Sequence, residues 1–202
     1  MKVLVLAAMA IALSGTAARA ADPRYPDWPC TQAKVPEISL AAVWAGPPLD
    51  DVQNKWKDDA KVSALVAKLS ARKTSVDEAE KSVKEFLAAS ASDKTANAKL
   101  LFAGLFDTLN AQRSQVMSGL ERVSRKQREA ADKIREETLA LQALQGATPR
   151  DEAKVEAISN ELIWKTRIFE DRHKVVRFVC EVPTTIDQRL FALGRVIQQE
   201  ME

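Results

Sequence analysis

The chain has 202 residues, of which 30 are Lys or Arg and 28 are Asp or Glu, so its formal net charge is +2. Lys2 and Arg19 supply that whole excess; without them 28 basic residues balance the 28 acidic ones. This balance argues against a nucleic-acid partner, because it leaves no global attraction to a polyanion. After residue 20, no apolar run approaches the ~20 residues that a membrane-spanning helix needs, so we expect no transmembrane segment.

The first 20 residues have the pattern of a secretory signal peptide. Lys2 gives a positive start, residues 3–13 form an apolar run, and Ala18 and Ala20 place small side chains at a cleavage site. The run is too short for a permanent membrane helix. No Cys ends it, so the usual lipoprotein anchor is missing. We therefore expect cleavage after Ala20 and a periplasmic or secreted mature protein.

Two cysteines follow the predicted cleavage site, Cys30 and Cys180. In an oxidising compartment an isolated pair of cysteines is most simply a disulfide, and this one would close most of the mature chain. The alternative is two free, buried thiols. Zinc is a poorer interpretation, because His173 is the only histidine and the chain has no Cys-x-x-Cys pair. We expect neither a metal nor a cofactor.

Residues 21–48 differ in composition from the rest of the mature chain. Six of the eight prolines lie here, and proline fixes φ and favours extended neighbours. We predict an extended strap along the helices, anchored by Trp28 and Trp44 and tied by Cys30, with one helical turn over 39–45. The functional alternative is a peptide-like segment that docks on a partner.

Two shorter helices are predicted after this strap. Apolar residues at helical spacing indicate a helix over 50–71, with Asp50 or Asp51 as its N-cap. A second helix is predicted over 75–89, because the sequence from Ser75 to Glu78 has the form of a capping box.

A heptad stripe follows, with one apolar residue every three or four positions over 95–145. Gly146 ends this helix and Thr148 is the expected cap of a return arm over 149–201, with Thr184 or Thr185 capping its last part after Pro183. Polar residues occupy two stripe positions, Gln127 and either Gln112 or Arg113. The apolar positions of the first arm are Phe102, Leu105, Leu109, Val116, Leu120, Val123, Ala130, Ile134, Leu141 and Leu144.

These elements predict an all-α fold: a long antiparallel helical hairpin, or coiled coil, with the two shorter helices packed at its base. Folding the arms about residue 147 pairs residue i with roughly 296 − i. We expect 49–202 to form one helical domain, with a bare two-stranded tip. Four phenylalanines should cluster towards the base: Phe102, Phe106, Phe178 and Phe191. The structural alternative is a single continuous helical rod, which the Gly146 break argues against. The sequence does not decide whether the protein forms a homo-oligomer.

The sequence shows no recognisable catalytic constellation. There is no nucleophile elbow, phosphate-binding glycine loop or dinucleotide fingerprint. His173 sits between Arg172 and Lys174, where a solvated helical histidine is the simplest interpretation. We expect a protein that is not an enzyme.

Basic residues are concentrated at the middle of both arms. Antiparallel pairing brings them to the same height, as a basic belt made of Arg122, Arg125, Lys126, Arg128, Lys165, Arg167, Arg172, Lys174 and Arg177. One interpretation is ordinary coiled-coil flanks with cross-helix pairs such as Arg125 with Asp171. The other is a docking surface for an acidic partner or a phospholipid headgroup.

The leading hypothesis is a non-enzymatic periplasmic interaction protein, which serves as a scaffold or accessory subunit of an envelope complex. We expect its partner to be a protein. Peripheral contact with the envelope is compatible with this hypothesis. The hairpin, through the basic belt and the tip, would present the partner surface. A holdase-type chaperone is the alternative, followed by a ligand-binding protein with a site in the base near Trp44, Trp56 and Phe102.

Overall fold

The computed structural model describes residues 22–90 and 93–202, so the predicted signal peptide at 1–20 lies outside the described residues. The fold is all-α, as predicted. None of the helices in these two ranges is long and apolar enough to cross a membrane. The elements in chain order are α1 (Leu40–Val43), a 3-10 helix (Lys55–Lys57), α2 (Ala60–Ser70), α3 (Val76–Ala88), α4 (Lys94–Gln145), α5 (Glu152–Val179) and α6 (Val182–Met201).

Helices α4 and α5 form the predicted antiparallel hairpin. α4 has 52 residues, which corresponds to about 78 Å at 1.5 Å per residue. The Nε2 of Gln127 donates a 3.1 Å hydrogen bond to the carbonyl oxygen of Phe169. This contact has the predicted register of i with 296 − i, and it places the polar Gln127 against the opposite arm.

The base of the hairpin holds the hydrophobic core, where α2, α3 and α6 pack around the first third of α4. Fully burying one aliphatic side chain stabilises a fold by roughly 1.5–3 kcal/mol. Beyond Leu120, the arms described here bury only Val155 and Leu162, so the distal hairpin is two-stranded. The largest fully buried side chains are Val62, Val66, Leu69, Val83, Leu87, Leu101, Phe102, Leu105, Leu109, Leu190, Leu193 and Ile197.

Two of the contacts that hold the strap involve its predicted anchors Cys30 and Trp44. A disulfide joins Cys30 to Cys180, the predicted pair, with the Cα atoms 5.6 Å apart. Trp44 is buried and its ring stacks on Phe102, with centroids 4.3 Å apart. Trp28 is half-buried, and its Nε1 donates to a carbonyl within the strap. The strap is therefore fixed along the hairpin covalently at one end and by an aromatic stack at the other.

The helix predicted over 50–71 is shorter than expected. It begins at Ala60, because the Asp59 carboxylate accepts hydrogen bonds from two free backbone amides of α2, at 2.9 and 3.0 Å. Asp50 and Asp51, the predicted caps, lie in a turn ahead of the 3-10 helix. An aspartate satisfies the N-cap preference at any of these positions, and only Asp59 reaches the amides of α2.

The return arm predicted over 149–201 is two helices with caps other than those expected. The carboxylate of Asp151 caps α5 by accepting a backbone N–H at 3.0 Å, so Thr148 is not the cap. Aspartate adds a negative charge that the positive end of the helix dipole favours. Helix α6 starts earlier than expected, and Thr184 and Thr185 lie inside its first turn.

The predicted phenylalanine cluster is half right. Phe102 is fully buried and Phe106 packs half-buried against the core. Phe178 and Phe191 are 77% and 53% exposed. Each is the sequence neighbour of a stripe residue, and one residue turns a helix side chain by about 100°, so both point away from the core.

Candidate partner-binding groove

The strap covers one side of the hairpin through polar contacts with α4. Asp27 forms an ion pair with Arg125 at 2.7 Å and a second with Arg128. Further along, the Lys34 ammonium lies 2.6 Å from the Glu121 carboxylate. The chain itself thus places an acidic residue on part of the basic belt.

These contacts change the titration of Asp27. Hydrogen bonds from Arg125, and then from Arg128, hold the pKa of Asp27 below its ordinary value of 3.8.

The cross-helix pair expected between Arg125 and Asp171 does not form. Residues 121, 125 and 128 share the face of α4 that the strap covers, so Arg125 points to the strap and not to α5. Asp171 instead pairs with Lys174 at 3.1 Å.

An open groove runs along the opposite side of the hairpin, between α4 and α5. It has a volume of about 870 Å³, and its apolar lining includes Val116 and Val123 from α4 and Ile168 and Val175 from α5. At 3.6 residues per turn, the strap face of α4 and its groove face, which contains residues 119, 123 and 126, point about 160° apart. The strap therefore leaves this groove uncovered.

Val123 corrects the heptad prediction. The stripe placed it in the seam, but it is 39% exposed, and Val175 across the groove is 59% exposed. Val123 lies between the buried Leu120 and Gln127, which donates a hydrogen bond to the opposite arm, so Val123 lines the edge of the seam and faces the groove.

The groove continues towards the tip of the hairpin. A second cavity of about 270 Å³ shares Ile168 and Arg172 with the first and is also lined by Ile134 and Phe169. From Val116 to Ile134 the groove follows α4 for about 27 Å, at 1.5 Å per residue.

Four cations line this combined groove: Arg122, Lys126, Lys133 and Arg172. In the described part of the chain, no carboxylate oxygen lies within 4.0 Å of their charged nitrogens. The groove has one acidic residue, Asp171, which Lys174 already neutralises. Its rim is therefore positive.

The remaining belt residues lie elsewhere. Lys165 sits at the distal end of the groove, 2.5 Å from Glu137 and 2.7 Å from Glu161, and these carboxylates raise its pKa. Arg167, Lys174 and Arg177 are exposed on α5 and do not line the groove. The nine predicted residues thus divide into a strap side, a groove side and an outer face of α5.

Sequence reasoning missed the groove. Its apolar walls have the composition of any coiled-coil seam, and no sequence signal shows that the arms leave Val123 and Val175 open to solvent. Lys133 belongs to the same basic stretch of the first arm, but the nine residues named as the candidate surface did not include it. His173, the one histidine, is exposed as expected.

The chain matches no family model, no curated protein and no solved structure.

Proposed function

We propose that this protein is a non-enzymatic interaction protein of the cell envelope, a scaffold or accessory subunit that presents its hairpin to a protein partner. The observation that supports the proposal is the open apolar groove between α4 and α5, rimmed by four cations for which residues 22–90 and 93–202 provide no carboxylate partner. Water-exposed apolar walls are costly for a monomer, and contiguous apolar patches commonly mark interaction sites. A groove between two helices is also a recurrent binding site for a third helix.

The size of the hairpin supports the same proposal. The core at the base is built without the distal halves of α4 and α5, which bury only Val155 and Leu162 beyond Leu120. These residues add ordered helix and little burial, so they contribute little to the stability of the base. A partner-binding role accounts for their presence.

Two independent features support the proposed cellular compartment. The disulfide between Cys30 and Cys180 is of a kind that persists in oxidising compartments, and the first 20 residues have the pattern of an export signal. Both features support the proposal that the interaction takes place in the periplasm or outside the cell.

The test is recovery of the partner from intact cells. The full chain, tagged at its C-terminus, is crosslinked in the envelope of its source cell and purified, and the bound proteins are identified by mass spectrometry. One set of proteins at near-fixed stoichiometry is the expected result. A broad mixture of unfolded exported proteins would show a holdase chaperone instead, and no protein above background would contradict the proposal.

A further inference from the structure

We infer that the groove binds one acidic amphipathic helix of the partner as a third helix of the coiled coil, with its closest approach to α4 at Gly119. This inference rests on the proposed function and adds the chemistry and position of the partner segment. Three observations support it: an unexplained glycine, the charge of the rim, and the shape of the groove.

Gly119 lies inside α4 and lines the groove. Glycine in a helix interior is destabilising relative to alanine, so it needs a reason. For Gly104 and Gly194 that reason lies within the chain: a Cβ would come within 2.6 Å of Val66 and 2.7 Å of the Val43 carbonyl oxygen, respectively. Among the described residues, a Cβ at Gly119 would meet only the Arg122 side chain, at 3.8 Å. The space beside Gly119 is open, and a helix from another molecule would use it.

The positive charge of the rim favours a partner helix with acidic residues on both sides of its apolar face. Arg122 and Lys126 extend from α4 and Arg172 from α5, on the two walls of the groove, and none of them has a partner among the described carboxylates. On the other side of the hairpin, the carboxylate of Asp27 forms ion pairs with the corresponding cations, Arg125 and Arg128. A partner helix with Asp or Glu on both flanks of its apolar face is complementary in the same way.

The length and shape of the groove set the size of the segment. A groove of about 27 Å accommodates about 18 residues of helix, with apolar residues every three or four positions. The apolar walls lie between two helices, so a third helix can pack between them, whereas a flat membrane surface reaches only the rim.

A second copy of this chain is a poorer occupant. Its most acidic short helix, α3, carries Asp77, Glu78 and Glu80, but the apolar face of α3 is fully buried in the core of its own base through Val83 and Leu87. That helix could not enter a groove without unfolding the base.

The experiment is site-specific photocrosslinking in the source cell. A benzophenone side chain replaces Val123 on the groove wall or, as a control, Lys84, which is exposed on α3 at the base. After irradiation, the crosslinked peptide is sequenced. We expect a Val123 adduct to a segment with apolar residues at helical spacing between Asp or Glu residues, at least tenfold more abundant than any Lys84 adduct.

Two substitutions at Gly119 show whether the adduct depends on this approach. Gly119→Trp fills the open space and should reduce the Val123 adduct at least tenfold, and Gly119→Ala, whose Cβ lies at the point of closest approach, should reduce it by a smaller factor. Circular dichroism checks that both variants keep their helical content, and Arg122→Glu with Lys126→Glu gives the same test through charge if Gly119→Trp does not fold.

The inference is overturned by an adduct to lipid, to a second copy, or to a segment without acidic flanks, and by an adduct that Gly119→Trp leaves unchanged. If the tagged protein recovers a stoichiometric partner but Val123 gives no adduct, this inference fails and the proposed function stands. If no partner is recovered by either method, both fail.

Discussion

At the scale of single residues, a half-buried ion pair connects the two arms near the base. Arg113 is only 3% exposed, its Nε lies 2.7 Å from an Asp187 oxygen, and its Nη1 donates to the carbonyl of Pro36. Burial raises the pKa of Asp187 above its ordinary value of 3.8, against the opposing effect of Arg113. Desolvation therefore outweighs attraction, and the contribution of Asp187 to stability falls as pH rises from about 3.8 through its folded pKa.

We predict that Asp187→Ala destabilises the protein more than the double variant Arg113→Met with Asp187→Leu. The single change leaves the Arg113 charge buried and unpaired, which costs about 2–3 kcal/mol, at or below the low end of the usual range because the Asp187 side chain is 39% exposed. The double change removes both charges and keeps apolar volume. Urea unfolding at pH 7 measures both, and an equal loss in the two variants would refute this explanation.

A second prediction concerns Asp27 in the strap. Because hydrogen bonds from Arg125 and Arg128 lower its folded pKa, its contribution to stability is present above pH 3.8 and is lost as pH falls through the lower, folded value. Carbon-13 NMR of the carboxyl group should give a midpoint below 3.8, and Arg125→Ala with Arg128→Ala should bring it back towards 3.8. A midpoint that the double variant does not move would show that the strap does not dock there.

At the scale of elements, the helix-interior glycines give a matched pair of predictions of opposite sign. Gly119→Ala should stabilise the unbound protein by about 0.5–1 kcal/mol, because it improves helix propensity in open space. Gly194→Ala should destabilise it, because a Cβ 2.7 Å from the Val43 carbonyl oxygen and 2.8 Å from Phe102 overpacks the core by about 1–3 kcal/mol. The midpoints of urea unfolding of the two variants, each measured against wild type, check both predictions. A loss of stability in Gly119→Ala would mean that the space beside Gly119 is not open.

The sequence predicts the helices better than it predicts their ends. The heptad stripe and the Gly146 break are enough for the hairpin and its register, and Ser75 caps α3 as predicted, with its hydroxyl accepting the Glu78 N–H. Caps at Asp59 and Asp151 were missed because several nearby residues satisfy the same preference and packing chooses among them. The groove was missed because a stripe shows which residues face inward and not how closely the two arms approach.

At the scale of the whole molecule, one covalent bond connects the strap to the C-terminal end of α5. In the chain-entropy model, a disulfide that closes 150 positions stabilises the fold by about 5 kcal/mol. We predict that Cys30→Ser with Cys180→Ser lowers the free energy of unfolding by up to this amount, measured by urea unfolding under oxidising conditions. The wild type under reducing conditions should behave like the double variant. An unchanged midpoint in both would show that the strap contributes nothing through this bond.

The central claim is that the groove side of the basic belt binds a protein partner, and one comparison tests it most directly. The triple variant Arg122→Glu, Lys126→Glu, Arg172→Glu reverses the rim, while Lys61→Glu, Lys73→Glu, Lys84→Glu changes the net charge equally on exposed residues of the base. Both are tagged, expressed in the source cell and crosslinked, and partner recovery is quantified against wild type after thermal unfolding has shown that each is folded. We predict at least a tenfold loss for the rim variant and little change for the base variant. Equal recovery of the partner by all three proteins would contradict the claim.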